Sequence, residues 1–207
     1  VALARNVISA SGFPLITRRL ASSPSAALAA LRCLVATLDD SYDRRVRFLA
    51  TPGAPDGVSA ALARCKSLDY RDFVQSQVLV YALTALSKAL SPEGSRTPLE
   101  SGSSAGRVAD LPVIVAAAAG CLEEDDGETL LAAVRVLRSC SSASASWDLL
   151  ARSALPRLVE LLLDDVRGRR RDPALLSALL RDVATIAGNL ATLQKHADAF
   201  HELGGLL

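Results

Sequence analysis

A four-residue phrase returns along this chain at the interval of one structural unit. It reads Gly12-Phe13-Pro14-Leu15, then Gly53-Ala54-Pro55-Asp56, Asp110-Leu111-Pro112-Val113 and Ala154-Leu155-Pro156-Arg157, and Gly204-Gly205-Leu206-Leu207 opens a further copy. Its third position falls at Pro14, Pro55, Pro112, Pro156 and Leu206, which sets spacings of 41, 57, 44 and 50 residues. Each copy is followed by a short apolar helical stretch and then a longer one. A period of roughly 40 to 47 residues, stretched by loop insertions, marks helical units that bury their apolar faces only by stacking on their neighbours. The expectation is an all-α chain: a right-handed α-solenoid of about four three-helix repeats, truncated at both ends.

The rest of the sequence agrees with a helical stack. Half of the residues are hydrophobic and only 4% are aromatic, with Ala and Leu dominant, a mixture that favours helix and close helix–helix approach. The formal net charge is +1, so no global field argues for nucleic acid or an anionic membrane surface. The longest apolar stretch, Leu111 to Leu122, is shorter than the ~20 residues of a membrane span and reads as a buried helix. Val1 to Ala4 already reads as a helix in progress, no methionine occurs, and Leu207 falls where a further repeat should continue. These ends are expected to be cuts in a longer protein.

The repeats are expected at approximately 1–38, 39–90, 105–141 and 146–193, with the start of another over 195–207. Ser91-Pro92-Glu93-Gly94 begins a Ser, Gly and Pro-rich segment over 91–105, read as a flexible surface insertion that accounts for the longest spacing. In the first repeat a helix runs over Val1–Ser9 and a second from Pro14 to about Leu20. Ser23 then caps a third helix with Pro24 at its first position, burying Leu28, Leu31, Leu34, Val35 and Leu38. The second repeat has helices near Tyr42–Ala50, Pro55–Cys65 and Arg71–Leu90, with Leu79, Leu83, Leu86 and Leu90 inward. The third has a vestigial Arg107–Asp110 helix, then Leu111–Leu122 and about Glu128–Cys140, with Leu130, Leu131, Val134 and Leu137 inward. The fourth has Ser146 capping a helix at Trp147, then Leu155–Leu163 and Pro173–Leu193. In that last helix Leu176, Leu179, Leu180, Val183, Ile186, Leu190 and Leu193 form the expected inner stripe.

Three helices per unit, a Gly-x-Pro-like turn between first and second, Ile186-Ala187-Gly188-Asn189-Leu190-Ala191 and Glu202-Leu203-Gly204-Gly205-Leu206-Leu207 resemble the armadillo repeat over nearly the whole chain. The resemblance implies a single armadillo-like solenoid whose third helices line a concave groove. In that family's nuclear-import adaptors, a Trp and an Asn four residues apart on successive third helices bind an extended basic peptide. Aligned on Asn189, the positions here are Cys33, Lys88, Ser139 and Asn189, preceded four residues earlier by Ala29, Thr84, Arg135 and Thr185. No Trp–Asn ladder exists, so that ligand does not carry over. Lys88 and Arg135 suit acidic or carboxylate-bearing segments instead. Thr84, Lys88, Arg135, Ser139, Thr185 and Asn189 are therefore the candidate protein-binding groove.

Other clusters carry less chemistry. Arg167, Arg169, Arg170 and Arg171 form a basic loop able to hold phosphate, RNA or an acidic tail. Asp164, Asp165 and Asp172 bracket it and no aromatic interleaves, which favours a solvated loop. Glu123 to Glu128 lacks the ligand spacing of a calcium loop. His196 and His201 are five apart and share no helical face as a zinc pair does. Trp147 reads as packing between repeats. No nucleophile, base or phosphate loop stands in context, so no enzyme activity, cofactor or metal is expected.

The four cysteines, Cys33, Cys65, Cys121 and Cys140, lie in or at the ends of apolar stretches without a CxxC pair, as small hydrophobes in a reducing compartment. Cytoplasm is the expected location, with a cilium or an organelle as the alternative. The acid-free segment Val1 to Leu38 resembles a transit peptide, but it contains the first repeat phrase and a well-formed helix. The expected function is a non-catalytic scaffold with protein partners, including acidic segments. The alternatives are a structural subunit of a ciliary, organellar or ribonucleoprotein assembly, and an armadillo-like nucleotide-exchange cofactor of a chaperone.

Overall fold

Turn and cap residues set where the helices begin. The computed structural model describes residues 12–39, 41–68, 72–91, 107–166 and 172–192, the side chains of 107–110 and 164–166 excepted. The Val1–Ser9 helix, the insertion beyond Ser91, the Arg167–Arg171 run, both histidines and the start of a further repeat lie outside them. Among the described residues there are ten α-helices, two single 3-10 turns and no strand, so the chain is all-α there.

The first is α1 (Gly12–Leu20), and α2 (Pro24–Asp39) follows it with the Ala26 N–H donating to Ser23 Oγ at 3.4 Å. Next come α3 (Tyr42–Ala50) and α4 (Ala54–Lys66). Between them Gly53 takes φ 73°, a left-handed turn that glycine enters without a Cβ penalty, and Pro55 sits in the first turn of α4. Helix α5 (Phe73–Leu90) starts two residues later than its apolar pattern suggests. Asp72 accepts from the Gln75 N–H at 2.8 Å while Gln75 Oε1 accepts from the Asp72 N–H at 2.9 Å, a capping box that fixes the boundary.

Helix α6 (Arg107–Gly120) corrects the third repeat: Arg107–Asp110 is no separate vestigial helix but the opening turn of a continuous one that carries Pro112 inside it. Pro112 stands at the sixth position, where its fixed φ suits a helix but its missing N–H leaves the Val108 carbonyl without its i→i−4 partner. Helix α7 (Gly127–Ser141) is capped by Asp126, which accepts from the Thr129 N–H at 2.9 Å. Then follow α8 (Trp147–Ser153), α9 (Leu155–Val166) and α10 (Pro173–Leu190), the last capped by Asp172 through the Leu175 N–H at 3.3 Å. Ser146 precedes α8 but does not cap it. Its buried hydroxyl donates to Cys140 O and Ala143 O, at 2.5 and 2.7 Å, and so closes the turn leaving α7.

The long helices α2, α5, α7 and α10 pack each on the next in chain order, and α1, α4 and α6 do the same beside them. Cross-packing of α1 on α2, α4 on α5 and α6 on α7 joins the two rows around one core. Leu31, Leu34 and Leu38 of α2, Leu83, Leu86 and Leu90 of α5, and Val134 and Leu137 of α7 are fully buried. Each such leucine stabilises the fold by roughly 1.5–3 kcal/mol relative to exposure. Phe13 and Phe48 add an edge-to-face pair with ring centroids 5.5 Å apart. Gly57 admits the close approach of α4 to α1, where a Cβ would fall 2.6 Å from Thr17 Cγ2.

Cationic side chains close helix ends across the rows. From α4, Arg64 donates to the carbonyls of Leu20 and Ala21 at the end of α1, and Lys66 donates to Gly120 O at the end of α6. From α3, Arg45 Nε donates to Leu38 O at 2.9 Å and Nη1 to Ser91 O at 3.3 Å, joining the ends of α2 and α5. Each places positive charge where a helix leaves carbonyls unpaired.

Leu180 and Cys33 depart from their expected surroundings. Leu180 is 46% exposed, because α10 turns Leu179, Val183, Ile186 and Leu190 inward and Leu180 lies a quarter-turn beyond that stripe; Val35, Leu131 and Leu176 are half-buried at stripe edges. Cys33 is exposed, while the thiols of Cys65, Cys121 and Cys140 are buried, and none of the four forms a disulfide. Trp147 packs on the core and its indole N–H donates to Ser141 O at 2.7 Å.

Burial pushes the Cys140 thiol up to about 12 from an ordinary value near 9. As pH rises the unfolded chain releases this proton first, so the group leaves stability unchanged below about pH 9 and lowers it from there toward 12, by up to ~1.4 kcal/mol per unit. Urea unfolding at pH 8 and 10.5 should therefore show a smaller loss for Cys140→Ala than for the parent chain. Equal losses would remove the burial argument.

Candidate functional site

Residues at four-residue spacing on three successive long helices meet at one polar cleft of about 450 Å³. Helix α5 contributes Thr84 and Lys88, α7 contributes Arg135 and Ser139, and α10 contributes Thr185 and Asn189. All six groove positions expected from the spacing line it together. The corresponding α2 positions, Ala29 and Cys33, are exposed but take no part in its lining. Sequence reasoning missed Arg138, one turn from Arg135 on the same helix, and the hydroxyls Ser87, Ser91 and Ser142.

Several of the polar groups are already engaged. Thr84 Oγ1 donates to Val80 O at 2.8 Å, Thr185 Oγ1 to Arg181 O at 2.9 Å and Ser139 Oγ to Arg135 O at 3.0 Å, each turned back on its own helix. Asn189 Nδ2 donates to Ser141 Oγ at 2.8 Å, which ties α10 to the end of α7. Lys88 is not the free cation its sequence context suggested, because Nζ is ion-paired with Asp39 at the end of α2. Both partners are partly exposed, so the pair adds little to stability, but it offsets the Lys88 charge locally.

The positive charge in the cleft concentrates on α7, the middle of the three helices. Asp182, on α10, is fully buried, a position invisible in the apolar pattern that surrounds it. Arg138 Nη1 donates to its Oδ1 at 2.8 Å, Arg135 Nε approaches Oδ2 at 3.7 Å, and Arg181 Nε lies 3.9 Å from Oδ1. Three guanidiniums thus surround one carboxylate. Asp182 Oδ2 is buried without a hydrogen bond. A buried carboxylate persists when it is paired, and here pairing also orients the two arginines of α7 that open on the cleft.

The basic residues Arg167, Arg169, Arg170 and Arg171 fall outside the described residues. Among those described, no group of His, Cys, Asp and Glu side chains could hold a metal ion, and no helix is long and apolar enough to cross a membrane. No protein-family model and no curated protein matches the chain.

Proposed function

We propose that the chain is an armadillo-like, right-handed α-solenoid of three-helix repeats, acting as a non-catalytic scaffold whose third helices present a concave groove to acidic segments of protein partners. One observation carries this reading: Thr84, Lys88, Arg135, Ser139, Thr185 and Asn189, one pair from each successive long helix, line a single cleft. The order of packing, with α2, α5, α7 and α10 each on the next, supports the stacked-repeat architecture. Three arginines around one carboxylate support an anionic ligand, since complementary charge speeds encounter and excludes wrong partners. Four cysteines with no disulfide among them support a reducing compartment, with the cytoplasm the simplest choice.

The test places a photo-reactive amino acid at Thr84 or Thr185 in the groove, or at exposed Ala60 on α4 as the control, and identifies cross-linked peptides in native extract. Groove positions should capture protein segments rich in Asp and Glu, with yields that fall as salt rises. Capture from Ala60 that matches the groove positions in yield and identity would overturn the assignment.

A further inference from the structure

Resting on that groove reading, we infer that the Arg135–Arg138 pair in the cleft seats a phosphate ester carried on a serine or threonine of the docked segment. The charge is focused, not spread along the groove. Lys88 on α5 is offset by Asp39, whereas Arg135 and Arg138 on α7 share with Arg181 the single carboxylate of Asp182. Arg135 and Arg138 line the cleft and Asp182 offsets only one of their two charges, so positive charge remains for an anion, and a phosphate monoester with its charge of about −1.5 to −2 takes it up more fully than a lone carboxylate.

Donor geometry agrees with the charge. Arg135 and Arg138 stand one turn apart on α7, both about half exposed, and both line the cleft. The hydrogen bond to Asp182 occupies one of the five N–H donors of Arg138, and Arg135 lies beyond hydrogen-bond distance of that carboxylate. Further donors of both guanidiniums therefore remain for the oxygens of a tetrahedral anion, which arginine grips through paired N–H groups. Asp182 comes from a different helix and is fully buried, so it fixes the Arg138 fork before any ligand arrives. Among the described residues no aromatic side chain lines the cleft, so none of them offers a stacking platform for a nucleic-acid base, which favours a peptide as the carrier.

Three immobilised nonapeptide libraries, with phosphoserine, serine or glutamate at the centre and randomised flanks, test this with the chain in solution. The phosphoserine library should retain the chain about tenfold better than the glutamate library, a difference in keeping with the stronger pairing of a dianion. Arg135→Gln leaves the Arg138–Asp182 bond in place and should bring retention by the phosphoserine library down to that by the glutamate library. Arg138→Lys, which keeps charge but loses the fork, should weaken the preference as well.

Equal retention by phosphoserine and glutamate overturns the phosphate seat and leaves the acidic-segment groove standing. No retention by any library overturns both. A preference that survives in folded Arg135→Gln places phosphate elsewhere and overturns the assignment, as does inorganic phosphate binding as tightly as the best phosphopeptide.

Discussion

Arg138→Ala is expected to destabilise the fold by roughly 2–3 kcal/mol, because it strands a carboxylate that has no access to water. Asp182 is fully buried and Arg138 Nη1 makes the only hydrogen bond to it among the described residues, at 2.8 Å. The expected loss sits at the low end for a broken buried pair, since Arg135 and Arg181 remain 3.7 and 3.9 Å away. Adding Asp182→Leu to Arg138→Ala should restore much of the loss, since replacing both members of a buried pair removes the stranded charge. Urea denaturation of the two single variants and the double, read as midpoints at unchanged slope, measures this coupling directly. Additive single effects, each below about 0.5 kcal/mol, would show that the pair is incidental.

The larger loss belongs to the centre of the long-helix row. Leu83→Ala in α5 should cost about 3–5 kcal/mol, because α5 packs on both α2 and α7 and the side chain is fully buried, so the cavity has little freedom to collapse. Leu180→Ala in α10 should cost less than about 1 kcal/mol although both leucines belong to an i, i+3, i+4 pattern, because Leu180 is 46% exposed. Thermal or urea unfolding of the pair under identical conditions checks the contrast. Equal losses would mean that the inner face of α10 has been assigned wrongly.

That contrast marks how far the sequence reaches. Apolar spacing identifies the four long helices and nearly all of their inner residues, because a helix of 3.6 residues per turn aligns Leu79, Leu83, Leu86 and Leu90 whatever its surroundings. It does not say how wide the covered stripe is, which depends on the neighbour, and so Leu180, expected inside, is 46% exposed. Asp182 is the converse. A buried carboxylate needs a partner, and Arg138 lies 44 residues away on another helix, beyond the reach of any local pattern.

The cleft was legible to the extent that its residues fall at one position on successive long helices, as Thr84, Arg135 and Thr185 do, with Lys88, Ser139 and Asn189 one turn on. Its electrostatics was not. The Lys88–Asp39 pair and the crowding of arginines on Asp182 arise from side chains that only packing brings together. Boundaries divided in the same way: Ser23 and Pro24 announce α2, whereas Ser146 is a cap residue by type and a turn lock in fact.

The two cations in the last turn of α4 act on helices other than their own, and this constrains motion. Arg64 grips the closing carbonyls of α1 on one side and Lys66 that of α6 on the other. A terminal carbonyl occupies a single place along a helix axis, so sliding α4 by one residue rise, about 1.5 Å, would pull both grips off together. Helix α4 is thus held at its last turn to the ends of both α1 and α6, and a shift of its register against either neighbour works against both ties.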